Sequence, residues 1–557
     1  GNAVTAFNEP NSIVLTEKMA KKYFGNEDPV GKTILIKIFN WESFKVTGVL
    51  ADLPAQTHLN FIDFLLPFHY AEKNFSWVAT MSNNSLFTYV QLKKGIAFQN
   101  YNQKIDSFLI KHSDQTNTDL YLQPLTAIYL HSNFTADFVA SGSIQYVYIF
   151  SAVALLVILI ACINFMNLST ARYARRAKEV GIRKVVGALR KNIVSQFLGE
   201  SILMSLLAFV FAIVLIIVVI PAFNNLSGKT ISLSMLNISQ ILSVLIIVLL
   251  TGFIAGTYPA FFLSSFRPVK VLKGIFVQGA KGLSFRKVLV VAQFIISVVL
   301  IAGTLIISKQ LEYIRDKRLG YDKENIVSIP ASDNYQSFKN ELLRNPSIGN
   351  VSMANNSLTY ISNSSSGWDW EGKDPNKKIL FHELAVDYDF FETFGMKMLQ
   401  GRAFSKDFTT DTSSAYIINE EALNQMKLKS PVGKKLSDGK IIGVVRNFNF
   451  KSVHNKIEPM IIMCKPQWCY LTFIKIKPNH LKSGMTDIEK TWKRFNTQNP
   501  YEYTFLDQQL DKLYAPEQRT GTIFKWFASL AIFISCLGLF GLISYAAEQR
   551  TKEIGIR

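Results

Sequence analysis

The sequence predicts a helical transmembrane bundle carrying two α/β (α+β) domains outside the membrane. Three observations predict it. Residues 138–171 and 526–547 contain no charged side chain, and about 20 apolar residues suffice for a helix to cross a bilayer. Basic residues crowd the ends of such runs. A short motif also occurs twice, each time just after an apolar run.

The repeat fixes the organisation. Lys178-Glu179-Val180-Gly181-Ile182-Arg183 matches Lys552-Glu553-Ile554-Gly555-Ile556-Arg557, with five of six positions identical. Gly181 and Gly555 are 374 positions apart, and so are Cys162 and Cys536 in the preceding apolar runs. One ungapped offset across both features indicates a duplicated unit.

The formal charge of +19 invites a nucleic-acid reading, but its location excludes that class. Residues 171–197 hold eight basic residues and one acid, and residues 264–287 hold six basic residues and no acid. With the tail at 548–557, 14 of the 19 net charges abut apolar runs. This is the positive-inside pattern of a membrane protein, and it makes membrane lipid a partner. It places the basic segments in the cytosol and the intervening polar domains on the opposite side.

Residues 1–143 read as the first extracytoplasmic domain. Residues 12–16 suit a strand, 17–24 a helix stopped at Gly25, and 33–39 with 44–50 a strand pair. Gly25-Asn-Glu-Asp-Pro-Val-Gly-Lys-Thr33 imitates a phosphate loop, but five residues rather than four separate its glycines, and Pro29 removes a backbone donor. It is read as a turn into a strand. Residues 144–287 form a first membrane unit with spans near 146–169, 201–223 and 241–263. Between the first two, Val185, Val186, Leu189, Ile193, Val194, Phe197 and Leu198 recur at helical spacing opposite Arg190 and Lys191, predicting one amphipathic helix. Gly181 is placed either to bend the chain ahead of it or to let a partner backbone come close.

Residues 288–323 are read as a fourth span and a stalk helix to Leu319, with Gly320 as its C′ cap. Gln293 within this span is expected to make a helix-packing contact. Residues 324–518 form the second extracytoplasmic domain, in which Pro431-Val-Gly-Lys434 echoes Pro29-Val-Gly-Lys32. Residues 519–557 begin a second membrane unit. Cys464 and Cys469 in CKPQWC leave two alternatives open, a disulfide or two buried free thiols. His131, His382 and His454 are isolated in sequence, with surface or core roles expected, and no metal or nucleophile pattern is present. The apolar cores of the spans lack acids and bases, which argues against a proton- or ion-coupled carrier.

The paired exit motif, the stretch NSIVLTEKMAKKYFGNEDPVGKTI and the segment Ser265-Phe-Arg-Pro-Val-Lys-Val-Leu-Lys-Gly274 resemble the FtsX/MacB-type permease subunits of ABC transporters. The resemblance implies MacB-like core domains outside a bacterial cytoplasmic membrane, no catalysis in this chain, and no cofactor of its own, ATP being bound by a partner. It implies docking of a cytosolic ABC ATPase at Lys178, Glu179, Gly181, Arg183 and Lys184 and again at Lys552, Glu553, Gly555 and Arg557, so two ATPases per full-length chain. A periplasmic partner is also implied. The implied task is export or extrusion of a peptide, lipid, lipoprotein or antibiotic. Alternatives are a non-transporting transmitter controlling a cell-wall hydrolase, or a sensor receptor. The full-length protein is expected to have eight spans, of which five fall in this sequence.

Overall fold

The computed structural model describes the chain apart from residues 39–40, 55–56, 81–85, 113–118, 133–141, 233–236, 265–279, 376, 498 and 550–557. It divides into two compact units, Gly1–Ala152 and Val153–Arg557.

The first unit is built on β1 (Ser12–Thr16), α1 (Glu17–Phe24), β2 (Thr33–Lys37), β3 (Trp41–Leu50) and β4 (Phe64–Leu65), in sheet order β2-β3-β1-β4. Thr16 caps α1 by accepting the Met19 N–H, and Gly25 ends it at φ +62. Ile13, Leu15, Phe44 and Val46 are the buried alternation of β1 and β3, with Met19 and Ala20 of α1 packed on them. The phosphate-loop imitation is indeed a turn into β2. The Pro29 carbonyl accepts from the Lys32 N–H at 3.1 Å, around Gly31 at φ +87.

The second unit contains four long helices, most of a fifth, and the second mixed domain. That domain has β5 (Ile326–Pro330), α6 (Tyr335–Leu343), β6 (Ile348–Ala354), β7 (Ser364–Ser365), β8 (Phe381–Val386), β9 (Met398–Gly401), β10 (Ala415–Asn419), α7 (Glu420–Met426), β11 (Lys435–Leu436), β12 (Gly439–Val445), β13 (Met460–Cys464), β14 (Leu471–Ile476), α8 (Leu481–Phe495) and β15 (Thr504–Phe505). Its sheet runs β11-β12-β10-β13-β8-β6-β14-β5-β15.

The β11-β12-β10-β13 end repeats the first unit's sheet strand for strand. β1 pairs parallel to β3 with a register shift after Ile13, where Val14 meets Gly48; β10 pairs parallel to β12 with a shift after Tyr416, where Ile417 meets Gly443. Asn419 caps α7 through the Ala422 N–H, as Thr16 caps α1. Gly433 repeats the Gly31 turn at φ +87. A shared bulge, cap and turn are the structural record of duplication.

Among the described residues, five helices are long and apolar enough to cross a membrane. They are α2 (Ile144–Val185), α3 (Arg190–Ser227), α4 (Ile238–Ser264), α5 (Ala280–Asp316) and α9 (Leu506–Gln549). Helices α3 and α4 approach closely over small residues. A Cβ on Gly252 would lie 2.9 Å from the Ile202 Cα, and the Ser205 hydroxyl donates to the Val248 carbonyl at 2.9 Å. Gln293 does make a packing contact: its Nε2 donates to the Ser535 carbonyl at 3.4 Å, while the Ser297 and Ser535 hydroxyls are 2.9 Å apart.

The stalk differs from expectation. Helix α5 stops at Asp316, before Leu319. Gly320 has φ +92, but a Cβ there would come within 2.8 Å of Phe448, so its role is close approach as well as chain reversal. Leu319 and Tyr321 beyond α5, and Leu506 and Leu510 of α9, belong to one buried cluster with Phe394, Phe448 and Phe473. Both stalks are thus built into the core of the second domain.

Candidate functional site

The exit motif lies where three helices meet. Val180 of α2, Ile193 and Phe197 of α3 and Ala260 of α4 form a buried apolar cluster. Gly181 is buried beside it but does not bend the chain: α2 runs through it to Val185. The turn is at Gly187, φ +102. The Ala188 N–H donates to the Arg183 carbonyl at 2.9 Å and the Gly187 N–H to the Lys184 carbonyl at 3.2 Å, the paired bonds of a Schellman stop. Gly187 adopts the left-handed conformation that closes a helix.

The amphipathic segment expected over residues 185–198 is therefore two pieces. Residues from Arg190 onward are the first turns of α3, and Ile193, Val194, Phe197 and Leu198 pack into the corner. Ile182, Val185, Val186 and Leu189 face outward, Val186 being 83% exposed. Helical periodicity alone could not separate these sets, since the break falls between residues of the same apolar pattern.

Polar contacts brace the corner. Glu179 Oε1 pairs with Arg183 Nη2 at 2.7 Å. Both side chains are about half exposed, so this pair alone contributes only about 0.3–0.5 kcal/mol. Arg183 also donates from Nη1 to Gln196 Oε1 at 2.5 Å, linking α2 to α3. Lys184 Nζ donates to the Ser264 carbonyl at 2.6 Å, and Arg190 Nε reaches Ser264 Oγ at 3.3 Å. Burial, then the Arg190 charge, lowers the Lys184 pKa from its ordinary value. Sequence reasoning missed Gln196 and Ser264, which carry no motif; only the fold brings them to the joint. Lys178 lies in α2 next to Glu179. Lys552, Glu553, Gly555 and Arg557, and the 265–274 segment, lie outside the described residues.

Cys464 and Cys469 are free and buried. Cys464 ends β13, while the Cys469 thiol faces the Ala385 and Lys465 carbonyls, each at 3.4 Å. Burial lifts both thiols, Cys464 to about 12. Of the two alternatives, the structure has the free thiols. His382 lies in a buried trio, with Nε2 against Glu458 and Lys451 Nζ 2.6 Å from the same carboxylate. Among the described residues, no cluster of His, Cys, Asp or Glu is placed to hold a metal.

Residues 151–268, which include this corner, match the family model for the FtsX-like permease C-terminal region. Residues 2–108 match the MacB-like periplasmic core domain. The chain is an FtsX/MacB-type permease. It is a multi-pass protein of the bacterial cytoplasmic membrane with extracytoplasmic domains. Among curated relatives, the macrolide export ATP-binding/permease protein MacB of Aggregatibacter actinomycetemcomitans is 26% identical over 37% of this chain and 30% of the relative. The protein of the same name from Campylobacter jejuni is 26% identical over 48% of this chain and 39% of the relative. The chain thus spans well under half the length of the curated relatives it matches. The periplasmic region of MacB from Actinobacillus actinomycetemcomitans is a solved structure covering 37% of this chain and 97% of its own, at 16% identity. Its TM-score of 0.26 is too low to add to the fold argument. Both family matches fall in the first half of this FtsX/MacB-type chain. The second half is tied to the first by the 374-residue repeat and the shared strand topology.

Proposed function

We propose that this permease is the membrane subunit of an ABC transporter and transmits motion of a separate cytosolic ATPase to its extracytoplasmic domains. The observation that carries the reading is the outward-facing apolar set Ile182, Val185, Val186 and Leu189 at the basic corner between α2 and α3. Exposed apolar clusters rimmed by charge mark partner surfaces. The ATPase, which holds the ATP, docks there; the repeated motif at 552–557 supplies a second dock, giving two ATPases per full-length chain. Glu179, Arg183 and Lys184 hold the corner's shape, and Lys178 and Gly181 belong to the same docking motif. The stalks α5 and α9, rooted in the core of the second domain, carry the motion outward. The cargo is a peptide, lipid, lipoprotein or antibiotic, delivered with or without a periplasmic partner.

The test is co-purification and ATP hydrolysis in the full-length complex. Val186→Glu and the double variant Glu179→Lys/Glu553→Lys are expected to insert normally yet lose ATPase association or coupled hydrolysis by about tenfold, the equivalent of about 1.4 kcal/mol. Wild-type association and coupling in both variants would refute the docking role.

A further inference from the structure

The 374-residue offset maps Asn164 onto Gly538, Asn167 onto Gly541 and Ile160 onto Ile534. In the structure Asn164 and Gly538 meet. Asn164 Nδ2 donates to the Ile534 carbonyl at 2.8 Å, and a Cβ on Gly538 would overlap the Asn164 carboxamide. One turn further, a Cβ on Gly541 would lie 2.6 Å from the Leu168 side chain. When equivalent positions of two repeats touch each other, the axis relating the repeats passes through the contact.

The contact is complementary in one direction only. Side chains of a helix lean toward its N-terminus, so the residue at i+4 covers the carbonyl of residue i. Gly538 is the residue four beyond Ile534. Its missing side chain leaves that carbonyl open to a second donor, and Asn164 supplies it. Two copies of α2 facing each other would set Asn164 against Asn164, with no glycine to make room. Two copies of α9 would set Gly538 against Gly538, with no donor and an unfilled gap.

We propose that this crossing of α2 and α9 is the surface by which the two halves of one chain recognise each other. Its Asn-on-Gly asymmetry selects pairing of unlike halves within a chain over pairing of like halves between chains. The interface partner of α2 is α9 of the same chain, and the working unit is a single chain. This holds whether or not the ATPase docks where proposed above.

The experiment uses the full-length chain in membranes, with its native cysteines replaced. Leu168→Cys/Gly541→Cys, which leaves Asn164 and Gly538 in place, is treated with a short thiol cross-linker while a differently tagged copy is co-expressed. An intrachain product without mixed-tag dimers is expected; mixed-tag dimers, or no product, would overturn the proposal. The same cysteine pair reports the crossing in variants. Gly538→Asn is expected to reduce its cross-linking at least fivefold. The reciprocal swap Asn164→Gly/Gly538→Asn lets Asn at 538 reach the Ile160 carbonyl and is expected to recover the yield to within twofold of the parent. A swap no better than the single substitution would also overturn the proposal. If Gly538→Asn fails to insert, the cysteine pair in the parent background decides the matter alone.

Discussion

Lys184 Nζ donates to the Ser264 carbonyl at 2.6 Å, fastening the last turn of α2 to the last residue of α4. The carbonyl lies in the last described turn of α4, where a side-chain donor ties it to α2. Lys184→Met keeps the aliphatic stem and removes the donor. The expected cost is about 1.5 kcal/mol, the lower end for a bond from a charged group because the corner is partly solvated. Thermal unfolding of the detergent-solubilised full-length chain should show this loss, and ATPase coupling should fall more than stability does. Unchanged coupling would mean that the tie merely holds the helix exit.

The topology gives a direct accessibility test. Thiols introduced at Lys37 and Lys434, one in each mixed domain, should react with an impermeant reagent applied to intact cells. Thiols at Lys178 and Lys281 should react only after permeabilisation. Labelling of the second pair in intact cells would invert the assignment made from the basic segments.

Lys339 is buried in α6, with Nζ 3.0 Å from Asp387 and paired also to Asp389, while the Tyr335 hydroxyl donates to Asp387 at 2.6 Å. Lys339→Met leaves a buried carboxylate without its cation. Such a break costs about 3–5 kcal/mol, far more than removing the charges together. Hydrogen exchange at β8 should therefore quicken strongly in Lys339→Met and recover by more than half in Lys339→Met/Asp387→Asn. No recovery in the double variant would mean that lost packing, not an orphaned charge, is the cause.

Gly320 tests the stalk root. Substitution by Ala places a Cβ 2.7 Å from the Asn447 carbonyl oxygen at a residue with φ +92. Strain and overpacking together should cost about 2–4 kcal/mol. Faster exchange is expected at residues 447–450 and at the start of α9, with the exit corner unaffected. A spread of the effect to the corner would show that the stalk and the corner move as one.

Much of this architecture was legible because local signals agreed with it. Thr16 before an amphipathic helix and Gly25 after it define α1, and the strand pair that follows is read from alternation. Charge-free runs locate the five long helices. Other features were not legible. Gly181 and Gly187 look equally able to break a helix, and only the packing of Val180 against Ile193 and Ala260 decides between them. Gly320 looks like a helix cap, yet Phe448, more than a hundred residues away, is what demands it. The corner's partners Gln196 and Ser264, and the buried trio around His382, depend on contacts between distant segments and leave no periodic trace.

That trio makes the second domain sensitive to pH. His382 on β8 meets Glu458 through Nε2, with Lys451 Nζ 3.3 Å away and the Phe450 ring packed at 5.0 Å. Burial, then the Lys451 charge, lowers the His382 pKa below its ordinary 6.5, with Glu458 pulling the other way. The unfolded chain therefore binds a proton that the folded domain resists. Stability is full above pH 6.5 and declines as the pH falls below it, by at most about 1.4 kcal/mol per pH unit. Burial raises the Glu458 pKa, but hydrogen bonds from Lys451 and His382 outweigh it, so the carboxylate stays ionised at pH 5.5. The segment between β12 and β13 also bonds to both stalks. The Asn449 N–H donates to the Leu319 carbonyl at 2.7 Å, and the Tyr514 hydroxyl accepts the Val453 N–H at 2.9 Å. Acidification from pH 7.5 to 5.5 should therefore quicken hydrogen exchange at β8 and at residues 449–453, after correction for the intrinsic rate. His382→Gln keeps a hydrogen-bonding side chain but cannot titrate, and should flatten the difference. An unchanged pH response in His382→Gln would assign the sensitivity to other groups.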